Sequence, residues 1–470
     1  MDSLNSPWAL IAFSFVIACT FVAAWKGRRD ALKDSESDLS KQGLNRWLVA
    51  LSAGATANSG FVVTGAVGLG YAYGVHWLML PLAWFLGDLI FWQFFPHKIN
   101  AAAKQAGGTT LTDLLAHNLP VGRFHPLVLL TTLIVILGLG GYTLAQWVAG
   151  QKFLDGAFGL SGHWTLAFFA VLIIIYSSLG QFRGSVYADS FQAVTRLLGT
   201  LAVLGMVIWL AVREPDAFRS NMQGVGDGFF SVLGGGTLIS LMGFLLGYAA
   251  AALGFGLGQP QVTTRYFAAR DPEEARAAKW IYIGYVQFTW AAMTLFGVLL
   301  RGVMPDIADP EQGMTVFAAA VFPALLLGLV VGDIFGAIAS TANSLLVAMA
   351  QAVRSLFTDH GHRFPLWPLT LGLGLVSLAV ALLLDSGTSV FNLAITSVSF
   401  MAAGLAPAVA VKVSGWRHTA FTLTATVVVG LCIAIAWYTT GMSAYINEAF
   451  PGIAGGLATN LIVSKLRRAA

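Results

Sequence analysis

Residues 52–60 read SAGATANSG, and they interrupt an apolar segment that runs from Trp47 to about Tyr73. A helix of about 20 apolar residues crosses a hydrocarbon core of about 30 Å, so the segment is long enough to span a bilayer. Its middle nevertheless makes a poor helix. Glycine pays extra backbone entropy there, and Ser, Thr and Asn compete for the backbone groups that the helix needs. A second segment repeats the pattern: residues 247–260 read GYAAAALGFGLGQP, with glycines at 247, 254, 256 and 258 and a proline at 260. Close packing through small residues would account for one such stretch. Two of them, five helices apart, point instead to helices that break near mid-membrane, where freed carbonyls line a cavity or hold an ion.

The rest of the chain supports the membrane reading. Of its 470 residues 57% are hydrophobic and only 10% charged, against about 25% charged in soluble domains. Apolar runs of 18 to 27 residues suit helices and not barrel strands, which would alternate over about 10 residues. The spans read 7–25, 47–73, 76–96, 126–152, 164–180, 186–212, 236–262, 280–302, 317–353, 366–385, 389–411, 418–440 and 446–464, about thirteen in all. The run 317–353 is too long for one crossing and is expected to include an approach helix outside the membrane. The first run has no basic stretch before it and is expected to be retained, not cleaved as a signal peptide. Cys19 and Cys432 fall inside spans and suggest neither a disulfide framework nor a metal site.

The net charge of +4 does not indicate nucleic acid, because the basic residues follow topology. Loops on one side carry 21 Lys and Arg residues and those on the other carry 4, which predicts an extracellular N-terminus and a cytoplasmic C-terminus. The hydrophilic stretches 26–46 and 97–125 are too short for a catalytic domain. The second contains GGTTLTDLLAHNLP, which predicts a short helix capped by a threonine.

Residues 336–346, GAIASTANSLL, add four oxygen-bearing side chains within about one and a half turns: Ser340, Thr341, Asn343 and Ser344. Positions 340, 343 and 344 share a face. A lone serine usually bonds its own helix backbone, but four together, beside unwound carbonyls, suit a monovalent hard cation such as Na⁺. Ionisable residues inside spans are few, and each is a functional candidate: Asp88, Asp189, Arg196 and Asp333. Asp189 and Arg196 are seven apart on one face and read equally as a bridged pair or as members of separate sites. Asp88 and Asp333 read as structural polar groups or as titrating ones.

Together these motifs resemble the sodium/solute symporter family, which includes sodium/proline, sodium/glucose and sodium/sialic acid symporters. SAGATANSG followed by GAVGLGYAYG is similar to that family's first core helix. LGQPQVTTRYFAARD (257–271) is similar to the end of the sixth helix in its sodium/proline branch, VYADSFQA (186–193) to the entry of the fifth, and STANSLL (340–346) to the motif S-T-A-D-S-x-L. The resemblance covers nearly the whole chain. It implies an all-α polytopic membrane protein with a LeuT-type 5+5 inverted-repeat core: an extra N-terminal helix (7–25), repeats at 47–212 and 236–411, and two C-terminal helices (418–464), all in one transporter domain.

By position, the resemblance implies a first Na⁺ held by backbone carbonyls of Ala55, Asn58 and Ala337 and by the hydroxyls of Ser340 and Thr341. It implies a second Na⁺ in some members, here at Asp189, Ser340, Asn343 and Ser344. The solute pocket is expected at Thr56, Ser59, Gly60, Tyr142, Ala252, Gly256 and Gln259. The chain departs from the sodium/proline branch at Ala57, where that branch has an aspartate, and at Ala252 and Gly256, where it has tryptophan and tyrosine. Asn343 replaces the commoner aspartate. These departures favour a pocket that is wider or differently lined, and a solute other than proline.

The expected function is therefore sodium-coupled import of a small organic solute, an amino acid or small carboxylate, through a cell membrane (a bacterial inner membrane). The exposed N–H groups of the two broken half-helices would favour a carboxylate. The partners are the solute, sodium and the lipid bilayer, with no nucleic acid and no obligate protein partner. Proton coupling through Asp88, Asp189 or Asp333 is the alternative within transport. A solute sensor would need a signalling domain after the last helix. An enzyme is not expected, because no metal-spaced or nucleophile–base constellation is present.

Overall fold

Helix formation starts at Arg46, under an Asn45 side chain that caps Leu48 N–H, and stops at Ala57. It restarts at Gly60, stops at Val63, and resumes from Gly65 to Tyr73. The second weak segment behaves likewise, with Leu238–Gly258 and Pro260–Phe267 meeting at a non-helical Gln259. Proline sets this second boundary: it lacks the N–H that would continue the ladder but suits the first turn of the next helix. Both breaks fall where the sequence predicts them.

The computed structural model describes residues 6–33, 43–107, 110–160, 162–179, 182–357, 365–385 and 387–469. Parts of the basic loops 26–46 and 354–365, and Gly108 and Thr109 of the GGTT stretch, lie outside the described residues. Among the described residues the chain is all helical, apart from an isolated bridge between Leu44 and Ala269. Each of the thirteen expected segments contains a helix. Among the described residues nine stretches are long and apolar enough to cross a membrane, with shorter apolar helices at His163–Ser178 and Trp367–Ala381. Exposed Leu133, Leu137, Leu198, Leu201 and Trp209 give the bundle an apolar outer surface, as lipid requires.

The expected long span 317–353 divides into Gly313–Val321 and Ala324–Phe357, separated at Phe322 and Pro323. Thr110 caps Leu111–Ala116 through a capping box: its hydroxyl accepts from Asp113 N–H at 3.1 Å, and Asp113 Oδ2 accepts from Thr110 N–H at 3.0 Å. Around the breaks, Leu238–Gly258 packs between Met79–Phe94 and Val390–Val413. Ala324–Phe357 packs against Pro126–Phe158, Phe182–Arg213 and the N-terminal helix Pro7–Lys33. The last two helices, Ala420–Thr439 and Ala449–Ala469, pack on each other and on Val390–Val413, outside the broken pair.

Candidate functional site

In an unbroken helix Gly60 N–H would donate to Thr56 O, and Phe61 N–H to Ala57 O. Here Gly60 N–H donates to Gln146 Oε1 (3.0 Å) and Phe61 N–H to Ser59 Oγ (3.2 Å). The carbonyls of Thr56 and Ala57 lose their usual donors as a result. Thr341 Oγ1, on Ala324–Phe357, approaches Thr56 O at 3.4 Å, and Ser340 Oγ approaches Ala337 O at the same distance. Both contacts are long for O–H···O bonds, whose usual length is about 2.7–2.8 Å. One buried hydroxyl, Thr341, therefore meets a released carbonyl and the other, Ser340, a carbonyl of its own helix, and neither is firmly engaged. Asn58 Oδ1 is buried beside them and has no partner. An all-oxygen, uncharged donor set of this kind fits Na⁺ by its chemistry.

Ser59 caps the short second helix and accepts a 2.9 Å hydrogen bond from the Tyr142 hydroxyl. From this junction a small cavity extends between the broken helices, lined by Ala57, Tyr142 and five further aromatic rings: Phe61, Trp84, Phe255, Trp290 and Phe391. Leu80, Ala394, Ile395 and Val398 complete the wall, so no lining side chain is charged. The rings pack on one another, with centroids 4.7 Å apart for Trp84 and Trp290 and 4.9 Å for Phe61 and Trp290.

Tyr142 thus lies at the cavity and Ser59 hydrogen-bonds it, while Ala252 and Gly256 face elsewhere. A Cβ built on Gly87 would abut Ala252 Cβ, and one built on Gly256 would sit 2.5 Å from Phe91 ring atoms. Small residues at 252 and 256 let Leu238–Gly258 close onto Met79–Phe94; they do not widen the pocket. Phe255, between them, supplies aromatic bulk instead. Thr56 donates back to Ser52 O (3.0 Å), Gly60 packs against Ala149, and Gln259 bridges Gln261 (2.8 Å) and Val398 O (3.4 Å). The N–H groups opening the 60–63 half-helix are already satisfied, so they are not free for a carboxylate.

A second buried cluster lies one to two turns along from the first. Asp189 pairs with Arg265 (2.8 Å), not with Arg196, and also accepts from Ser52 Oγ (2.8 Å). The same guanidinium donates to Ser344 Oγ (2.7 Å) and Ser52 Oγ (3.1 Å), and Asn343 Nδ2 donates to Ser185 Oγ (3.0 Å). Asp189, Asn343 and Ser344, three of the four residues expected to hold a second Na⁺, are therefore gathered around a guanidinium, whereas Ser340 contacts Ala337 O in the first cluster. Arg196 pairs with Asp333. Among the described residues Asp88 has no cation beside it, and it meets the Gln287 amide at 3.3 Å.

Arg265, Gln146 and the aromatic walls escape a reading of the sequence. Arg265 counts there among the loop residues, yet its side chain is only 2% exposed. Gln146 does carry a signal, as an amide one turn past Tyr142 inside an apolar span. The aromatics carry none, since 32 Phe and 14 Trp are spread through the chain.

The sequence matches the sodium:solute symporter family over residues 39–359. The osmoregulated proline transporter OpuE of Bacillus subtilis is 23% identical, over 98% of this chain and 95% of its own. A sodium/proline symporter of Staphylococcus aureus is 24% identical, over 100% and 94%. In three dimensions the chain superposes on a Na⁺-coupled sialic acid symporter solved in an outward-open state, with a TM-score of 0.78 over 98% of both chains at 14% identity. MhsT in complex with L-phenylalanine gives 0.54 over 90% of this chain and 99% of its own, also at 14% identity. These structures fix the fold as LeuT-type, and the relatives are transporters, not enzymes. The chain, a multi-span membrane transporter, belongs to the sodium:solute symporter family.

Proposed function

We propose that this protein couples inward sodium movement to import of a small amino acid or carboxylate. Sodium is held by the carbonyls of Ala55, Asn58 and Ala337 and the hydroxyls of Ser340 and Thr341. The observation that carries this reading is the meeting of the 57–60 helix break with two loosely engaged hydroxyls, Ser340 and Thr341. One Na⁺ moving through 100 mV gains about 2.3 kcal/mol before its concentration term, a sufficient drive for a small solute. The corresponding breaks at 58–59 and 259 support reading 47–212 and 236–411 as the two repeats. The basic-residue bias supports an extracellular N-terminus and a cytoplasmic C-terminus, even with Arg265 removed from the loop count.

A second Na⁺ at Asp189, Ser340, Asn343 and Ser344 would first have to displace Arg265, so that role belongs to a state in which the guanidinium has swung away. The test is uptake by the purified protein in liposomes under imposed gradients. Accumulation driven by sodium alone supports the proposal; accumulation driven by a proton gradient in sodium-free buffer overturns it. The second outcome would favour Asp88, whose buried carboxylate has an amide and not a cation beside it.

A further inference from the structure

We propose, resting on the symport reading above, that the solute is a small zwitterion whose nitrogen is fully alkylated, a betaine-type compound. Two observations on the cavity point to it. The first is what the wall can offer a cation. Among its lining residues the only side-chain hydrogen-bond acceptor is the hydroxyl of Tyr142, which donates its own proton to Ser59 and so can accept from one further group. A primary ammonium brings three N–H donors that each want an acceptor once out of water. A quaternary nitrogen brings none. It is bound through the negative faces of aromatic rings, within about 6 Å of a ring centroid, and the cavity has Phe61, Trp84, Tyr142, Phe255, Trp290 and Phe391 around it.

The second observation concerns the opposite charge. Trp84 and Trp290 are 3% and 4% exposed, and the indole N–H of each is buried without a hydrogen-bond partner. Buried indole N–H groups are ordinarily paired. Indole nitrogen donates only, so what these two lack is an acceptor, which a solute carboxylate supplies. The half-helix N–H groups at Gly60 and Phe61 do not compete for that role, because Gln146 and Ser59 already occupy them. One wall thus suits a methylated cation and two donors suit its carboxylate, with no charged side chain required.

The test is a competition panel on the full-length protein in liposomes under an inward sodium gradient, using glycine betaine, dimethylglycine, proline, alanine and acetate. Betaine should be accumulated, with a half-saturating concentration at least tenfold below that of alanine and below that of proline. Trp290→Phe keeps an aromatic face but removes one donor. It should weaken betaine uptake at least fivefold while leaving inhibition by tetramethylammonium, which has no carboxylate, within twofold of the parent. Sodium-driven uptake of alanine or acetate in preference to betaine would overturn the solute class and leave sodium symport standing. Absence of sodium-driven uptake for all five would overturn both readings. The wild-type panel decides the class by itself if the Trp290 variant does not fold.

Discussion

Replacing Arg265 with methionine asks whether the buried cluster around Asp189 is a fixed ion pair or a cation site that a guanidinium happens to fill. The arginine spans three helices, donating to Asp189 at 2.8 Å, Ser344 at 2.7 Å and Ser52 at 3.1 Å. Methionine keeps much of the stem but removes the charge. Asp189, fully buried, is then left with the Ser52 hydroxyl and no positive partner. Breaking a buried pair from one side costs about 3–5 kcal/mol, a large fraction of a total stability of about 5–15 kcal/mol. The space vacated is bounded by Asp189, Ser344, Ser185 and Asn343, and Asp189 Oδ1 and Asn343 Oδ1 are already without partners. Sodium that enters this space at 100 times its dissociation constant would restore about 2.7 kcal/mol. Thermal unfolding in detergent, followed by tryptophan fluorescence, should therefore show Arg265→Met strongly destabilised in N-methylglucamine chloride. In sodium chloride it should recover by more than the parent gains from the same exchange of salts. Equal stability of variant and parent in both salts would refute the electrostatic account of the cluster. Loss of stability without the extra sodium response would refute its capacity to hold a cation.

Other outcomes follow from the same geometry. Ser340→Ala or Thr341→Ala should raise the sodium concentration for half-maximal uptake roughly five- to 150-fold, since a lost buried oxygen costs about 1–3 kcal/mol; unchanged sodium dependence in both, with expression intact, would remove them from the ion site. Asp333→Asn should lower stability by about 3–5 kcal/mol by stranding Arg196, and the double change Asp333→Leu with Arg196→Met should recover most of it; a double variant no more stable than the single would refute the pairing. Gly256→Leu should cost at least about 1–3 kcal/mol through overpacking on Phe91 while leaving the order of solute preference unaltered, whereas a shifted preference would return that position to the pocket wall. A tag at residue 2 should react with an impermeant label on intact cells and a tag at residue 470 should not; both reacting alike would refute the charge-bias topology.

Much of the architecture can be read from local chemistry. Small residues and a proline fix where the two helices break, because glycine and proline act on the backbone at their own positions. Thr110 and Asp113 announce a capped helix for the same reason. The hydroxyls of Ser340 and Thr341 are legible as a cluster because helical spacing groups them before any tertiary contact forms. The pocket wall is different. Ala252 and Gly256 lie on the same helix as Phe255, and which of them meets the cavity depends on the rotation of Leu238–Gly258 against Met79–Phe94. That rotation is set by the close fit of Gly87 against Ala252 and of Gly256 against Phe91, contacts between residues more than 160 positions apart. A comparison of side-chain sizes at 252 and 256 alone suggests an emptier pocket, and the packing gives an aromatic one.

The charged pairs show the same limit in a sharper form. Asp189 and Arg196 share a helix face, but two turns of helix, a rise of about 10.5 Å, lie between them, and spacing alone does not say whether they meet. A closer counter-charge on another helix compensates each better in a membrane interior. Asp189 finds Arg265 on Pro260–Phe267, and Arg196 finds Asp333 on Ala324–Phe357. Gly199 makes the second pairing possible: a Cβ there would press against both the Asp333 carboxylate and, at 3.1 Å, Arg196 Nη2. The helix Phe182–Arg213 is thereby tied at one level to the distal half of the second broken helix and at another to the helix carrying Ser340 and Thr341. Movement of Pro260–Phe267 away from Phe182–Arg213 must separate Arg265 from Asp189, whereas the Arg196–Asp333 tie can stay closed throughout. The Asp189 pair therefore depends on the seating of Pro260–Phe267, and the Asp333 pair on the seating of Ala324–Phe357.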